Sequence, residues 1–140
     1  MGGAIALQAL AVEPRLRFGI VESTFADFRT IVFDYQKRQL MIPWHLFADN
    51  GIARAMELAH FDPDSVRPAE AARHIRQPVF LAHGEADNRI KPEYGRQIFA
   101  NLASKGKEWH IIPGAGHFDM MVRGGAAYKK ALMEFLQKNH

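Results

Sequence analysis

The chain has 140 residues, of which 48% are hydrophobic and 24% are charged, a composition typical of a globular domain with a sizeable core and one that excludes a disordered chain. The formal net charge is only +3, and the Lys and Arg residues are scattered among Asp and Glu, so the sequence predicts no nucleic-acid-binding patch. The chain contains no cysteine, which excludes disulfides and a cysteine nucleophile and is compatible with a cytoplasmic protein.

The first predicted element is a helix that begins near Gly3 and ends near Val12. Gln8 is its only polar side chain, and a helix that is apolar on all sides is normally buried on all sides. The helix is therefore expected to lie in the middle of a fold, which implies neighbouring elements that are missing from these 140 residues. The segment is too short to span a bilayer, so no membrane span is predicted. A short buried strand at residues 17–21 follows, and a loop through Ser23 leaves it.

Residues 28–77 predict several short helices instead of one long element. Ile52, Met56 and Ala59 keep a helical spacing, and prolines interrupt the segment. We interpret a segment of this length between two buried strands as a lid-like insertion. Within it, residues 40–47 concentrate large apolar side chains, which would either line a pocket for a hydrophobic substituent or pack the lid onto the body of the domain.

The rest of the chain alternates strands and helices. The apolar run at residues 78–82 is typical of a strand buried on both faces of a parallel sheet, and a second short strand is predicted at residues 109–112. Apolar residues with helical spacing follow each of these strands: Tyr94, Ile98 and Leu102 after the first, and Tyr128, Leu132, Phe135 and Leu136 after the second. This order predicts an α/β fold with a short parallel sheet flanked by helices. The first strand would present an open edge, which predicts self-association or a complementing partner.

Two polar residues follow predicted strands directly, where open α/β sheets bind their ligands. Asp87 ends the motif His83-Gly84-Glu85-Ala86-Asp87, and His117 ends Gly114-Ala115-Gly116-His117. A histidine between a carboxylate and an alcohol can accept the alcohol's proton, while the carboxylate fixes the tautomer of the ring and stabilises the imidazolium. Asp87 and His117 are therefore predicted to be the acid and the base of a catalytic site. His83 is predicted to have a structural role, through a hydrogen bond within its loop.

A metal site is a weaker reading of the same region. Four side chains there could ligate a metal through nitrogen or oxygen: His83, Asp87, His117 and Asp119. Their spacing matches no metal-binding motif, so neither a metal nor another cofactor is predicted. Asp119 is instead interpreted as a cap or turn residue before the last helix.

The three serines of the chain do not predict a nucleophile. Ser65 and Ser104 are predicted to lie at the surface. Ser23 follows a strand, but no glycine flanks it and no strand–turn–helix motif surrounds it, so it is predicted to be a loop hydroxyl.

Four stretches of the chain together resemble successive landmarks of the α/β-hydrolase superfamily. They are MGGAIALQ at residues 1–8, VESTFAD at residues 21–27, PVFLAHGEAD at residues 78–87 and GAGH at residues 114–117. The resemblance is to the serine aminopeptidase and monoacylglycerol-lipase-like branch, and it covers nearly the whole chain but only the C-terminal half of the α/β-hydrolase fold. In that fold the nucleophile stands on a Gly-x-Ser-x-Gly turn, and the acid and the histidine follow it along the chain.

The resemblance implies that Asp87 and His117 are the acid and base of a Ser-Asp-His triad and that the backbone N–H of Met1 belongs to the oxyanion hole. It places the serine directly before Met1, so the chain would be a C-terminal fragment of a serine hydrolase that acts on a small-molecule ester or related acyl bond. Such a fragment alone is expected to be inactive. Two alternatives stay open: a non-catalytic binding module, and one half of a split hydrolase completed by another chain.

Overall fold

A computed structural model of the chain describes residues 1–39, 54, 57, 58, 60 and 62–140. It shows a parallel sheet with helices packed on both faces. The strands, in their order across the sheet, are β1 (Gly19–Glu22), β2 (Val79–Gly84) and β3 (Lys107–Ile112). The predicted α/β class is confirmed, although β1 lies slightly later than predicted and β3 begins earlier.

The helices found among the described residues follow the predicted alternation. They are α1 (Gly2–Val12), α2 (Phe28–Gln39), α3 (Pro68–Ala71), α4 (Pro92–Asn101), α5 (Met120–Arg123) and α6 (Gly125–Asn139), with short 3-10 turns at Pro63–Ser65 and Ala72–His74. None of these helices combines the length and the apolar character that crossing a lipid bilayer requires.

The strand β2 is the centre of the fold, and all six of its residues are buried. Because side chains alternate across a strand, Val79 and Leu81 join a core with α1 and α4, whereas Phe80 and Ala82 join a second core with α6 on the opposite face. Such two-sided burial is what the apolar run predicted. β2 pairs with β3 in parallel from Val79 opposite Lys107 to Gly84 opposite Ile112, so both strands end at the same edge of the sheet.

The helix α1 is buried on one face and open on the other. Ala4, Leu7 and Leu10 are buried, whereas Ile5 is 65% exposed and Val12 is 81% exposed. A groove of about 660 Å³ lies between the open face and α3. No described element covers this face, so the further neighbours that the apolar helix implies stay a prediction.

β1 has a similar open side, since within the described sheet it pairs only with β2. The lid-like insertion at residues 28–77 stays a prediction. Residues 40–47, and with them Ile52, Met56 and Ala59, lie outside the described residues.

Candidate active site

The loop after β2 surrounds Asp87 with hydrogen-bond donors. Asp87 is only 3% exposed. Its Oδ1 accepts hydrogen bonds of 2.9 Å from the backbone N–H groups of Arg89 and Ile90. A carboxylate has no hydrogen to donate, so these two N–H groups suit its ionised form. The loop is thus built to hold a buried negative charge.

The loop after β3 carries His117 and is shaped by two glycines and Asp119. Gly114 adopts a left-handed conformation with a φ of 65°, which glycine tolerates without steric cost. The N–H of Gly116 donates to Asp119 Oδ1 at 2.6 Å, and Arg123 Nε donates to Asp119 Oδ2 at 3.2 Å. These two bonds hold the pKa of Asp119 below its usual value.

Asp119 therefore has a role that the sequence predicted only in part. It stands at the N-terminus of α5, as expected of a cap or turn residue, but its side chain makes no capping bond to that helix. The Asp119 side chain instead accepts the hydrogen bond from Gly116, which joins the two sides of the loop that carries His117.

The two loops are also joined directly to each other. The N–H of Glu85 donates to Ile112 O at 3.0 Å, and the N–H of Ala86 donates to Ala115 O at 2.8 Å. The Glu85 side chain accepts a further bond of 3.2 Å from the N–H of Gly114. Both loops therefore behave as one backbone unit at the shared end of β2 and β3.

Gly84 makes this close approach possible. A Cβ atom built on Gly84 would lie 2.4 Å from the backbone O of Ala115 and 2.5 Å from that of Gly116. These distances are far inside van der Waals contact, so only a residue without a side chain fits. The His83-Gly84 motif is visible in the sequence, but the reason for its glycine is visible only in the fold.

Asp87 and His117 meet between the two loops. His117 Nδ1 lies 2.7 Å from Asp87 Oδ2, and the His117 side chain is 24% exposed whereas that of Asp87 is completely buried. Since the ionised carboxylate only accepts, Nδ1 carries the proton, which leaves the lone pair on Nε2. The structure thus brings together the two residues that the sequence singled out, with the ring partly accessible to a reactant.

The pKa of Asp87 is held well below its usual value by its surroundings. Burial acts in the opposite direction and is the largest single influence. It is outweighed by the combined effect of the neighbouring N–H groups, those of the His83 ring, the Ile90 backbone, the His117 ring and the Arg89 backbone. Asp87 therefore stays ionised and can stabilise a positive charge on His117 during proton transfer.

His83 forms the hydrogen bond within the loop that the sequence predicted. It is completely buried, and its Nε2 lies 2.9 Å from the backbone O of Ile90. The same nitrogen faces Asp87 Oδ2 at 3.5 Å, which is too long for a full hydrogen bond but close enough for the N–H dipole to favour the carboxylate.

The serines lie apart from this arrangement, although Ser23 contacts the segment that follows His117. Ser23 is 9% exposed, has a φ of 42° and directs its Oγ to Met120 Sδ at 3.7 Å. Ser65 is exposed, as predicted. The surface position predicted for Ser104 is wrong: it is 4% exposed, and its Oγ accepts a bond from the N–H of Gly106 that closes the turn before β3.

Met1 stands at the N-terminus of α1 and is 69% exposed. The first turn of α1 lies against the carboxyl end of β1, because a Cβ on Gly3 would lie 2.9 Å from Thr24 Cβ. Since Ser23 contacts Met120, this end of β1 also adjoins the segment that follows His117. Among the described residues, no group of three or more His, Asp or Glu side chains is arranged to hold a metal ion.

Comparison with known proteins finds a family and a relative for this chain. A model of the prolyl oligopeptidase family, Peptidase_S9, matches residues 1–140. The α/β hydrolase domain-containing protein WAV2 of Arabidopsis thaliana is 24% identical, over 99% of this chain and 44% of its own length.

Solved structures of similar fold cover nearly the whole chain. Acetyl xylan esterase 1 from a Thermoanaerobacterium species is 22% identical with a TM-score of 0.67, over 99% of this chain and 43% of that one. An esterase of Pyrococcus furiosus is 17% identical with a TM-score of 0.70, over 97% of this chain and 49% of that one. An acylaminoacyl peptidase of Pyrococcus horikoshii is 21% identical with a TM-score of 0.69, over 99% of this chain and 22% of that one. This chain thus spans less than half the length of each of these proteins.

The sheet, its flanking helices and the comparisons define part of an α/β hydrolase, as the sequence predicted. Within that superfamily the chain belongs to the prolyl oligopeptidase family, because the model of that family matches it from end to end. The sequence motifs resemble the serine aminopeptidase and monoacylglycerol-lipase-like branch, whereas the family match places the chain in the prolyl oligopeptidase family.

Proposed function

We propose that this chain supplies the acid and the base of a serine hydrolase that cleaves a carboxylic ester or a related acyl bond. The observation that carries the proposal is the 2.7 Å contact between His117 Nδ1 and the buried Asp87 carboxylate. The similar proteins support the bond type, since two are esterases and a third is an acylaminoacyl peptidase. Ester and amide cleavage share acyl-transfer chemistry, in which an alcohol attacks a carbonyl carbon.

His117 is the proposed proton carrier. Its Nδ1–H is engaged by Asp87, so Nε2 is the nitrogen that accepts a proton from the attacking hydroxyl. The ring then holds a positive charge, which the neighbouring carboxylate stabilises, and it returns the proton to the leaving group. Asp87 itself stays ionised through the cycle, because its hydrogen bonds lower its pKa.

The nucleophile is proposed to come from a segment outside these 140 residues, since the chain has no Gly-x-Ser-x-Gly sequence. The open side of β1 and the exposed face of α1 support this arrangement, because both offer surface that a further strand and further helices would cover. The segment could be joined to this chain or belong to a separate polypeptide, as in a split hydrolase.

Met1 is the proposed oxyanion residue. Its position at the N-terminus of the 11-residue helix α1 supports this role, since unpaired N–H groups and the helix dipole favour negative charge at that end. The packing of Gly3 on the end of β1 supports it further, because it brings that helix end toward the region of His117.

The proposal is tested by turnover of p-nitrophenyl acetate and labelling by a fluorophosphonate probe. The 140-residue chain is expected to give background turnover and no labelled serine. A polypeptide in which a Gly-x-Ser-bearing segment directly precedes Met1 is expected to be labelled and active. In that polypeptide His117→Ala and Asp87→Asn should each lower kcat by about 10³-fold or more.

His110→Ala is the matched control for His117→Ala, since His110 lies in the body of β3 and its ring stacks on Phe80 at 4.1 Å. It should leave kcat nearly unchanged. Turnover by the 140-residue chain alone that disappears in His117→Ala would overturn the proposal. Activity of the longer polypeptide that survives both substitutions would do so as well.

A further inference from the structure

The environment of His83 differs from that of an ordinary core residue. Its ring is completely buried at the end of β2, beside α4 and the ring of Trp109. A Cβ built on Gly95 of α4 would lie 2.7 Å from His83 Nδ1, so the absence of a side chain at that position leaves the space for the imidazole. The fold therefore places a polar ring in a fully buried position.

The contacts of the ring identify which nitrogen carries the proton. Nε2 lies 2.9 Å from the backbone O of Ile90, and a carbonyl oxygen can only accept, so Nε2 is the donor. Nδ1 is buried and has no hydrogen-bond partner in the described part of the chain. A second proton on Nδ1 would be a buried donor without an acceptor, so the geometry favours the neutral ring with its proton on Nε2.

This N–H acts on both oxygens of Asp87 by different routes. By holding the carbonyl of Ile90, it fixes the turn whose backbone N–H of Ile90 binds Asp87 Oδ1 at 2.9 Å. It also faces Asp87 Oδ2 at 3.5 Å, the oxygen that receives the hydrogen bond from His117. The carboxylate is thus held through both of its oxygens.

We infer that His83 is a positioning residue for the proposed acid–base pair: its Nε2–H holds Asp87 in the orientation that keeps His117 in one tautomer. The inference rests on the proposed function for its catalytic meaning, but the orientation itself is measured without any substrate. His83 takes no part in proton transfer in this scheme, because its only proton is engaged in the loop.

Two substitutions of similar size distinguish the effect of the Nε2–H donor from the effect of the volume of the ring. In His83→Gln the amide nitrogen reaches the position of Nε2, whereas in His83→Asn it reaches only the position of Nδ1. The readout is the ¹⁵N and ¹H NMR spectrum of His117, which reports the tautomer of the ring and the proton shared with Asp87. His83→Gln is expected to keep the wild-type tautomer and the downfield Nδ1 proton.

His83→Asn is expected to give mixed tautomers of His117 and an Nδ1 proton that exchanges with water about tenfold faster, which corresponds to the loss of one hydrogen bond. The same two substitutions at His110, whose ring stacks on Phe80, control for general loosening of the fold and should leave the His117 signals unchanged. Equal behaviour of the Gln and Asn variants at position 83, whether both keep or both lose the signal, would overturn the inference.

The result is separable from the fate of the proposed function. Loss of the His117 signal in His83→Asn alone supports positioning even if the nucleophile-bearing polypeptide shows no turnover. Turnover that is sensitive to His117→Ala but indifferent to both substitutions at His83 leaves the function standing and removes His83 from it.

Discussion

Replacing Gly84 with alanine should disturb the contact between Asp87 and His117 although neither residue is touched. The added Cβ would lie 2.4 Å from Ala115 O and 2.5 Å from Gly116 O. Carbon and oxygen atoms normally approach no closer than about 3.3 Å, so the loop that carries His117 must retreat by about 0.9 Å. Both obstructing atoms belong to the backbone, and the hydrogen bond between Ala86 N and Ala115 O resists that movement.

The magnitude follows from the contact that the loop controls. A retreat of about 0.9 Å along the bond would lengthen the 2.7 Å contact between His117 and Asp87 beyond hydrogen-bond range. Overpacking of this kind costs about 1–3 kcal/mol of the free energy of unfolding. In a complete hydrolase, a displacement near 1 Å would lower kcat by about 10²-fold.

Urea unfolding followed by circular dichroism measures the stability, and NMR of the His117 Nδ1 proton measures the contact. Gly116→Ala is the matched control, because it lies in the same loop and its Cβ would meet nothing closer than Asp119 Oδ1 at 3.6 Å. That variant should stay within about 0.5 kcal/mol of the wild type. If Gly84→Ala is equally stable and retains the Nδ1 proton, the reasoning is refuted.

Two further substitutions test the electrostatics around the site. Because its surroundings hold the pKa of Asp87 below the unfolded value near 3.9, the Asp87 carboxylate adds stability above about pH 4 that is lost as the pH falls toward its folded pKa. The stability advantage of the wild type over Asp87→Asn, measured by urea unfolding, should therefore be larger at pH 7 than at pH 3, and an equal difference at both would contradict this account. Tyr128→Phe removes the hydroxyl that donates to Glu22 and should cost about 1–2 kcal/mol in the same measurement, whereas Tyr35→Phe, at a side chain 41% exposed, should cost less than about 0.5 kcal/mol. Equal losses in the two phenylalanine variants would count against a stabilising bond to Glu22.

The sequence predicted those features that local patterns encode. The apolar run at residues 78–82 predicts a strand buried on both faces, because a strand with one face in solvent would alternate apolar and polar residues. The observed β2 is buried throughout. Asp87 and His117 could be paired in advance because each follows a strand, and parallel strands end at one edge of the sheet. Their hydrogen bond in the structure agrees with that expectation, while their catalytic role stays a proposal.

Features that depend on contacts between distant segments were not predictable. Nothing near Gly84 in the sequence indicates that the backbone of Ala115 would pack against it. Asp119 resembles an ordinary helix cap until the fold shows its carboxylate bound to Gly116. Ser104 resembles a surface residue beside Lys105, yet its side chain is buried because its Oγ accepts the hydrogen bond from Gly106 that closes the turn. In each case the deciding neighbour is fixed by tertiary structure and not by residue type.

The pairing of β2 with β3 has a consequence for how this domain reaches its native state. Both partners of the acid–base contact depend on one parallel register, from Val79 opposite Lys107 to Gly84 opposite Ile112. A slip of one residue would displace one loop by about 3.3 Å and exchange the faces of the strand. The hydrogen bond between Asp87 and His117 can therefore form only after the correct strand alignment has been reached. The NMR signal of its proton thus reports completed folding and distinguishes native molecules from misaligned compact forms.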